Sequence, residues 1–437
     1  MLTRWLSILA LGTLGVTLAF FQLGRMALLD PDEARFAETS REMIERADYA
    51  VPYFNGEPRL KKPPLLHWEH IAAFKLLGVS EYAARLPSAF ASLALLAALV
   101  AFARLECGWS VALRAGAILL TCPLAFVTGR MAIIDMTLAL FVCGSLFLYY
   151  LVDSGRIGAR AGSAAMGLLL GAALLAKGPV GVLVPAIVIA AYHLALREGK
   201  PFTRWRRILA VGAIAAAMAA PWFVLVVHRV GYGTFAKVAF RETVERYVST
   251  GLEHPQGAWY YFVIIGFAAF PWSAFLLPVY LTGIKRYLLP GWRRRGSGTD
   301  RLGVFLWMWI AGVIIFFSLG KGKLATYILP VMPAAALYLA REWQRWSEPG
   351  AEDPPAERLT RLEWGAGLAL LVPIVIVAFV AMRWDPVHAS SFLGYAAPFG
   401  LMSGGSIGAA LLLSRRTRRW VVVPALTACV SAFYLFL

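Results

Sequence analysis

The sequence predicts an all-α, polytopic membrane protein, and three observations carry that prediction. Hydrophobic residues make up 59% of the 437, charged residues only 15%, and mean hydropathy is +0.66. A soluble fold of this size needs more polar surface than that. Apolar runs of about 17–22 residues, long enough to cross a hydrocarbon core, recur along the whole chain. Charge gathers between the runs, most densely in segment 24–87, which holds ten Asp/Glu and nine Lys/Arg.

The runs place helices at 5–23, 87–103, 115–129, 136–152, 161–176, 179–196, 208–227, 259–283, 302–319, 324–340, 364–382, 392–413 and 420–436. That is about thirteen spans, an odd number, so the termini are expected on opposite sides. Arg4 followed by an apolar run imitates a signal peptide. Phe20-Phe21-Gln22-Leu23 offers no small-residue cleavage site, so the run reads as a retained first helix.

Orientation follows from the basic residues. With the N-terminus inside, inner loops hold 24 Lys/Arg against 10 Asp/Glu, and outer loops 18 against 15. The connections Arg197 to Arg207, Lys285 to Arg301 and Arg415 to Arg419 carry five, six and four basic residues, all on the inner side. This satisfies the positive-inside rule and turns segment 24–87 outward. The net charge of +17 is thus a topology signal with some affinity for anionic lipid, and no nucleic-acid partner is expected. Cys122, Cys143 and Cys429 fall within helices and Cys107 on the inner side, so no external disulfide is expected.

The first outer loop has structure of its own. Asp30 as N-cap, Pro31 in the first helical position and Glu33 as the partner of a capping box start a helix. Phe36, Ser40, Met43 and Ile44 share one face of it, while Arg35, Glu38, Arg41, Glu42 and Glu45 lie mostly elsewhere. Such a helix suits a membrane surface. Tyr49 to Pro64 reads as an extended arm, and a second helix runs from Leu65 to Leu77 with Gly78 as its C-cap. Residues 341–363 read as an inner linker, and 364–437 as terminal membrane helices with no appended soluble domain.

Three acids in four residues, Asp30, Asp32 and Glu33, open the loop. Helix capping accounts for Asp30 and Glu33. Asp32 is left for either an orienting carboxylate or a base. Lys61 and Lys62 precede two prolines, which could make a solvated turn or fix two ammonium groups on a phosphate. Arg35, Arg85, Arg130, Lys177, Lys321 and Lys323 are further outer cations, each explicable by snorkelling or by an anionic ligand at the surface. Arg130 and Asp135 bracket a short outer turn where Asp135 either caps a helix or joins Asp32. His67, Glu69, His70 and His254 show no recognised metal spacing. Trp68, Trp222, Tyr260, Tyr261 and Trp272 fit an interfacial belt.

The run Asp-Glu-Ala-Arg-Phe-Ala-Glu-Thr-Ser-Arg-Glu-Met from Asp32 and Lys-Lys-Pro-Pro-Leu-Leu-His-Trp from Lys61 resemble the membrane glycosyltransferases of the GT-C fold. The match is to a bacterial branch that includes 4-amino-4-deoxy-L-arabinose transferases acting on lipid A and is related to protein O-mannosyltransferases. Arg130 to Asp135, Ala176-Lys177-Gly178-Pro179, Pro221-Trp222 and Phe316 to Pro330 with its Lys323-to-Tyr327 core continue the pattern over 1–340. The resemblance implies an inverting transfer of sugar from a polyprenyl (undecaprenyl) phosphate carrier to an outer-face acceptor, lipid A or another envelope glycan. The setting would be a bacterial inner membrane with the active site on the periplasmic side. Asp32 would be the base, with Glu33 and Asp135 as further acids. Lys62 would contact the carrier phosphate, and Lys61, Arg35, Arg85, Arg130, Lys177, Lys321, Lys323 and Tyr327 would bind substrate. Lys61 stands where relatives have a metal-associated Glu, which disfavours a cofactor such as zinc although His254 matches the outer-loop His. Longer relatives end in a soluble outer domain that is not seen here. Alternatives are a protein O-glycosyltransferase and, in another class, a transporter of lipid-linked sugars.

A reporter fused near Gly296 is expected to be cytoplasmic and one fused after Leu437 external; activity of both on one side would mean that the spans are miscounted.

Overall fold

The computed structural model describes residues 2–29, 31–196, 205–245, 247, 256–287, 300–347, 427 and 431. Residues 348–363 of the linker, the three C-terminal spans apart from 427 and 431, Asp30, His254 and Cys429 lie outside them, while 341–347, expected to begin the linker, are helical. The described residues form fifteen α-helices: α1 (Leu2–Phe20), α2 (Asp32–Glu45), α3 (Leu65–Leu77), α4 (Glu81–Cys107), α5 (Trp109–Leu120), α6 (Pro123–Thr128), α7 (Asp135–Asp153), α8 (Ala159–Lys177), α9 (Val180–Leu196), α10 (Trp205–Val230), α11 (Tyr232–Phe240), α12 (Tyr260–Ala268), α13 (Ser273–Tyr287), α14 (Arg301–Leu319) and α15 (Val331–Ser347). Among the described residues, α4, α7, α8, α10 and α14 are long and apolar enough to span a membrane, and α1, α5 and α9 contain shorter apolar stretches.

Two expected spans are each a broken pair. Segment 115–129 divides between α5 and α6, and 259–283 between α12 and α13. Pro123 and Pro271 lack the N–H that would continue the ladder, and a break inside the bundle persists only where protein satisfies the freed groups. Here the two breaks meet: Trp272 Nε1 donates to Thr121 Oγ1 at 2.9 Å, with both residues fully buried. The span placed at 324–340 is also corrected. A 3₁₀ turn, Ala325–Ile328, precedes α15, which continues to Ser347.

The bundle packs through small residues. Gly167 and Gly171, four apart on α8, face α10, where an added Cβ would lie 2.7 Å from Ile214 and 2.8 Å from Met218. Hydrocarbon offers no hydrophobic drive between helices, so close backbone approach supplies the attraction. At the end of the bundle away from the 24–87 loop, Asp300 caps α14 through the Gly303 N–H at 2.9 Å and pairs with Arg341 and Arg345 at 2.8 and 2.7 Å. Arg301 meets Asp153 of α7 at 2.8 Å. Some of the basic residues counted for topology therefore also tie helix ends together.

The first outer loop is fastened to the other end. α4 begins at Glu81, above the apolar run, with the Ser80 hydroxyl accepting from the Ala83 N–H at 3.3 Å. This raised turn carries Arg85, which spends all five N–H donors. Two go to Glu33 at 2.9 Å each, and three to the Leu23, Met26 and Ala27 carbonyls at 3.0, 2.7 and 2.9 Å. Glu33 also accepts from the backbone N–H of Leu29 at 2.8 Å and of Ala132, before α7, at 2.6 Å. Glu33 is thus no capping-box partner; it is a buried knot joining α2, α4 and the turn before α7.

The arm between α2 and α3 is extended only in part. Tyr53–Phe54 (β1) pairs antiparallel with Glu57–Pro58 (β2). Asn55 and Gly56 turn between them with φ 52 and 81°, the Asn-Gly hairpin pattern. Glu42 holds the turn, accepting from the Asn55 and Gly56 N–H groups at 2.5 and 3.1 Å. Glu42 therefore belongs to the buried side of α2, a correction to the expected polar face. The belt reading also changes for Trp222, Tyr261 and Trp272, which are buried; Trp222 Nε1 donates to the Ala50 carbonyl at 2.8 Å.

Removing one partner of a buried ion pair strands the other and costs about 3–5 kcal/mol. Glu33→Ala and Arg85→Leu are each expected to lower the unfolding temperature in detergent sharply. Burial alone would raise the Glu33 carboxyl, but Arg85 and the Ala132 and Leu29 N–H groups hold it below its ordinary 4.5. Its stabilisation is therefore complete above pH 4.5 and is lost only as pH falls through the lower folded value.

Candidate active site

The ends of α7, α8, α9, α10 and α14 nearest the 24–87 loop, roofed by the arm before α3 and by α11, line a cavity open to solvent. Its apolar walls include Leu138, Val184, Phe223 and Phe316, and its polar groups include Lys61, Lys62, Asp135, Lys177, Glu242 and Tyr327. A greasy channel with a few charges at one end is suited to an amphiphile.

Local structure places each charge. Lys177 is the last residue of α8, where the helix dipole favours a cation. Gly178 then turns the chain at φ 69° toward Pro179 and α9. Asp135 is the first residue of α7, and its carboxylate lies 2.6 Å from Lys177 Nζ. The same ammonium stands 4.6 Å from the Tyr327 ring centre. Lys62, held at the entry to α3 by Pro63 and Pro64, pairs at 3.1 Å with Glu242 on a π-helical turn, Arg241–Glu245, after α11. Lys61 is exposed at the mouth.

Asp32 opens α2 and is exposed; it does not line the cavity. Arg59 connects the two. Its guanidinium lies 5.4 Å from the Phe36 ring and 5.5 Å from Phe54, and it donates to the Arg35 carbonyl at 3.2 Å. Burial first and then the neighbouring Arg35 push the Arg59 guanidinium down, while Asp32 and Glu242 pull it up. Asp32, Arg35 and Glu242 are thus the charges that act on Arg59. Sequence reading missed Arg59, because nothing before the hairpin is known separates it from the other basic residues of the loop.

Three expected ligand contacts, Arg85, Arg130 and Lys323, and one expected catalytic acid, Glu33, have other tasks here. Arg85 is saturated as described. Arg130 donates to the Leu18 and Phe21 carbonyls at 2.7 and 2.8 Å, closing the end of α1. Lys323 is buried and donates to the Gln256 and Gly320 carbonyls. Glu33 is consumed by Arg85, so it is not placed to accept a proton from a ligand. Lys321 is exposed and contributes its backbone N–H to the Tyr247 carbonyl at 2.9 Å. Among the described residues no group of three or more His, Cys, Asp or Glu could hold a metal ion.

The fold is that of the GT-C membrane glycosyltransferases. Residues 4–282 match the dolichyl-phosphate-mannose-protein mannosyltransferase family, and the chain belongs to that family. It is 30% identical over 431 residues to an undecaprenyl phosphate-alpha-4-amino-4-deoxy-L-arabinose arabinosyl transferase of Aeromonas salmonicida, covering 96% of this chain and 74% of the relative. The like-named protein of Erwinia tasmaniensis is 29% identical over 84% of this chain, which spans only 64% of that relative's length. The crystal structure of ArnT from Cupriavidus metallidurans bound to undecaprenyl phosphate superposes with a TM-score of 0.74 at 26% identity, over 98% of this chain and 76% of that one. An archaeal oligosaccharyltransferase, AglB from Archaeoglobus fulgidus, shares the fold alone, with a TM-score of 0.51 at 13% identity over 85% of this chain and 55% of that one.

Two titratable clusters border the site on α3. The Ser40 hydroxyl lies 2.9 Å from His67 Nδ1 and 3.2 Å from His70 Nδ1, and burial pushes the two imidazoles down to about 3 and about 4. They are neutral packing groups. Glu69 points the other way, to the first turn of α7, where the Thr137 hydroxyl donates at 3.1 Å. Burial pushes this carboxyl up to about 7. An acid raised on folding binds more protons folded than unfolded, so stability falls as pH rises from about 4.5 to about 7. Glu69→Gln is expected to flatten that decline in thermal unfolding measured at pH 5, 6 and 8; an unchanged slope would place its source elsewhere.

Proposed function

We propose that this chain transfers a sugar from a polyprenyl phosphate carrier to a hydroxyl-bearing acceptor at the outer face of a bacterial inner membrane. The acceptor would be lipid A or another envelope glycan. The observation that carries the reading is the apolar-walled cavity whose charged end holds Lys62 and Lys177. Such a cavity accepts a polyprenyl chain along its walls and a phosphate at its cations. A soluble nucleotide-sugar would need neither the greasy walls nor a place at the membrane.

The chemistry asks little of the protein beyond placement and charge. Asp32 takes the proton from the acceptor hydroxyl as its oxygen attacks the sugar's anomeric carbon from the face opposite the phosphate. The bond between that carbon and the phosphate oxygen breaks, its electrons leave with the phosphate, and configuration inverts. The departing polyprenyl phosphate needs cations and no proton donor, which Lys62 and Lys177 supply. Asp135 holds Lys177 in place and lowers its net pull on the phosphate. A transporter would place ionisable groups at mid-membrane. Residues 136–152 of α7 and 302–319 of α14 contain no Asp, Glu, Lys or Arg.

Asp32→Asn keeps shape and removes proton acceptance, and general-base catalysis is typically worth about 10²–10⁴ in rate. The variant is expected to accumulate normally and bind carrier lipid, with transfer reduced at least about a hundredfold. Transfer within a few-fold of the parent would dismiss Asp32 as the base. Lys62→Ala is expected to weaken carrier binding.

A further inference from the structure

Lys62 already has an anion beside it. Glu242 Oε2 lies 3.1 Å from its Nζ, with side-chain exposures of 16% and 23%. The carboxylate belongs to a segment held lightly: neither α11 nor the π-helical turn after it buries a single residue. That segment is nevertheless part of the cavity, contributing Phe235, Ala239, Glu242 and Thr243 to its lining. One-turn π-helical insertions recur at functional sites, because they re-aim a side chain at the expense of regular bonding.

We infer that Glu242 is an exchange residue: its carboxylate occupies the place at Lys62 that the carrier phosphate takes, so the donor binds by displacing it and the spent carrier leaves as it returns. The inference rests on the reading above that Lys62 holds the carrier phosphate. A Lys ammonium is a compact point charge of one unit, so a carboxylate already paired with it competes with an incoming phosphate. The competition matters most after transfer. The donor is a phosphodiester with one negative charge; the product is a monoester carrying about −1.5 to −2 near neutral pH. Bare cations would hold the product more tightly than the donor and stall the enzyme. A resident carboxylate on a lightly packed turn offsets that excess, and no bond beyond the transfer itself is made or broken.

The test measures binding of undecaprenyl phosphate to the purified full-length protein in detergent, for the parent, Glu242→Gln, Lys62→Ala and the double variant. Glu242→Gln is expected to bind about fivefold more tightly, the scale of a partly exposed ion pair. In the Lys62→Ala background the same change should have no further effect. With donor present, Glu242→Gln should slow steady-state turnover while leaving the single-turnover rate constant intact, as expected when product release limits. Glu242→Asp retracts the carboxylate by one methylene and is expected to shift binding in the same direction, which covers failure of the Gln variant to accumulate. Equal or weaker binding by Glu242→Gln, with Lys62→Ala still weakened, would overturn the exchange role alone. Parent-like binding by Lys62→Ala would remove the carrier-phosphate reading and the exchange role with it.

Discussion

The buried pair between Glu33 and Arg85 is the constraint on which the outer half of the molecule depends. A lone ion of either sign at that depth would be prohibitive, and even a pair is tolerable only when every lone pair and N–H finds a partner. Here the two side chains share two hydrogen bonds, and five backbone groups complete the set. Those backbone groups come from the connection after α1 and from the turn before α7. The knot thereby sets the position and direction of α2, and with it the place of Asp32. The acid proposed for chemistry is the neighbour in sequence of the acid that holds the fold. Their opposite exposures, Glu33 fully buried and Asp32 open to solvent, follow from successive positions pointing to different sides of a helix.

At the charged end of the cavity Lys62 pairs with Glu242 and Lys177 with Asp135, which offsets the cost of holding two ammonium groups in a partly apolar space. The two pairs are built differently. Asp135 and Lys177 sit on the ends of long packed helices, and Tyr327 covers the ammonium, which suits a fixed element of the site. Lys62 sits on an arm and Glu242 on a short turn that buries no residue, an element of low local packing. A rigid cation beside an adjustable one is an economical arrangement for a ligand whose charge changes during the reaction.

Long stretches of this fold are held by geometry that apolar composition hides. α8 approaches α10 through Gly167 and Gly171, and a buried side-chain hydrogen bond joins the breaks at Thr121 and Trp272. Neither feature changes hydropathy enough to be noticed in an apolar run. Both bring backbone and side-chain groups into contact where lipid could not.

Much of the architecture and part of the site could be read before any coordinates. Hydropathy and the Lys/Arg bias give the membrane class, most span positions and the gathering of charge in the first loop, because a bilayer imposes length and charge rules residue by residue. Helices at 32–45 and 65–77 were legible from Pro31, the face pattern and Gly78, which act locally. The fate of each charge was not. Arg85, Arg130 and Lys323 resemble Lys62 and Lys177 in sequence, each a cation at an outer helix end. Only the tertiary structure separates those that donate to protein carbonyls or to Glu33 from those that face the cavity, since that depends on which carbonyls and carboxylates other segments bring within 3 Å or so. For the same reason Glu42 reads as a surface acid until Asn55 and Gly56 fold back onto it. Glu242 and Arg59 carry no local mark at all until residues 180 positions apart, Lys62 and Glu242, are brought together. Chain-local physics determined where the helices and the charge lie; long-range contact decided which charges hold the fold and which are left to meet a ligand.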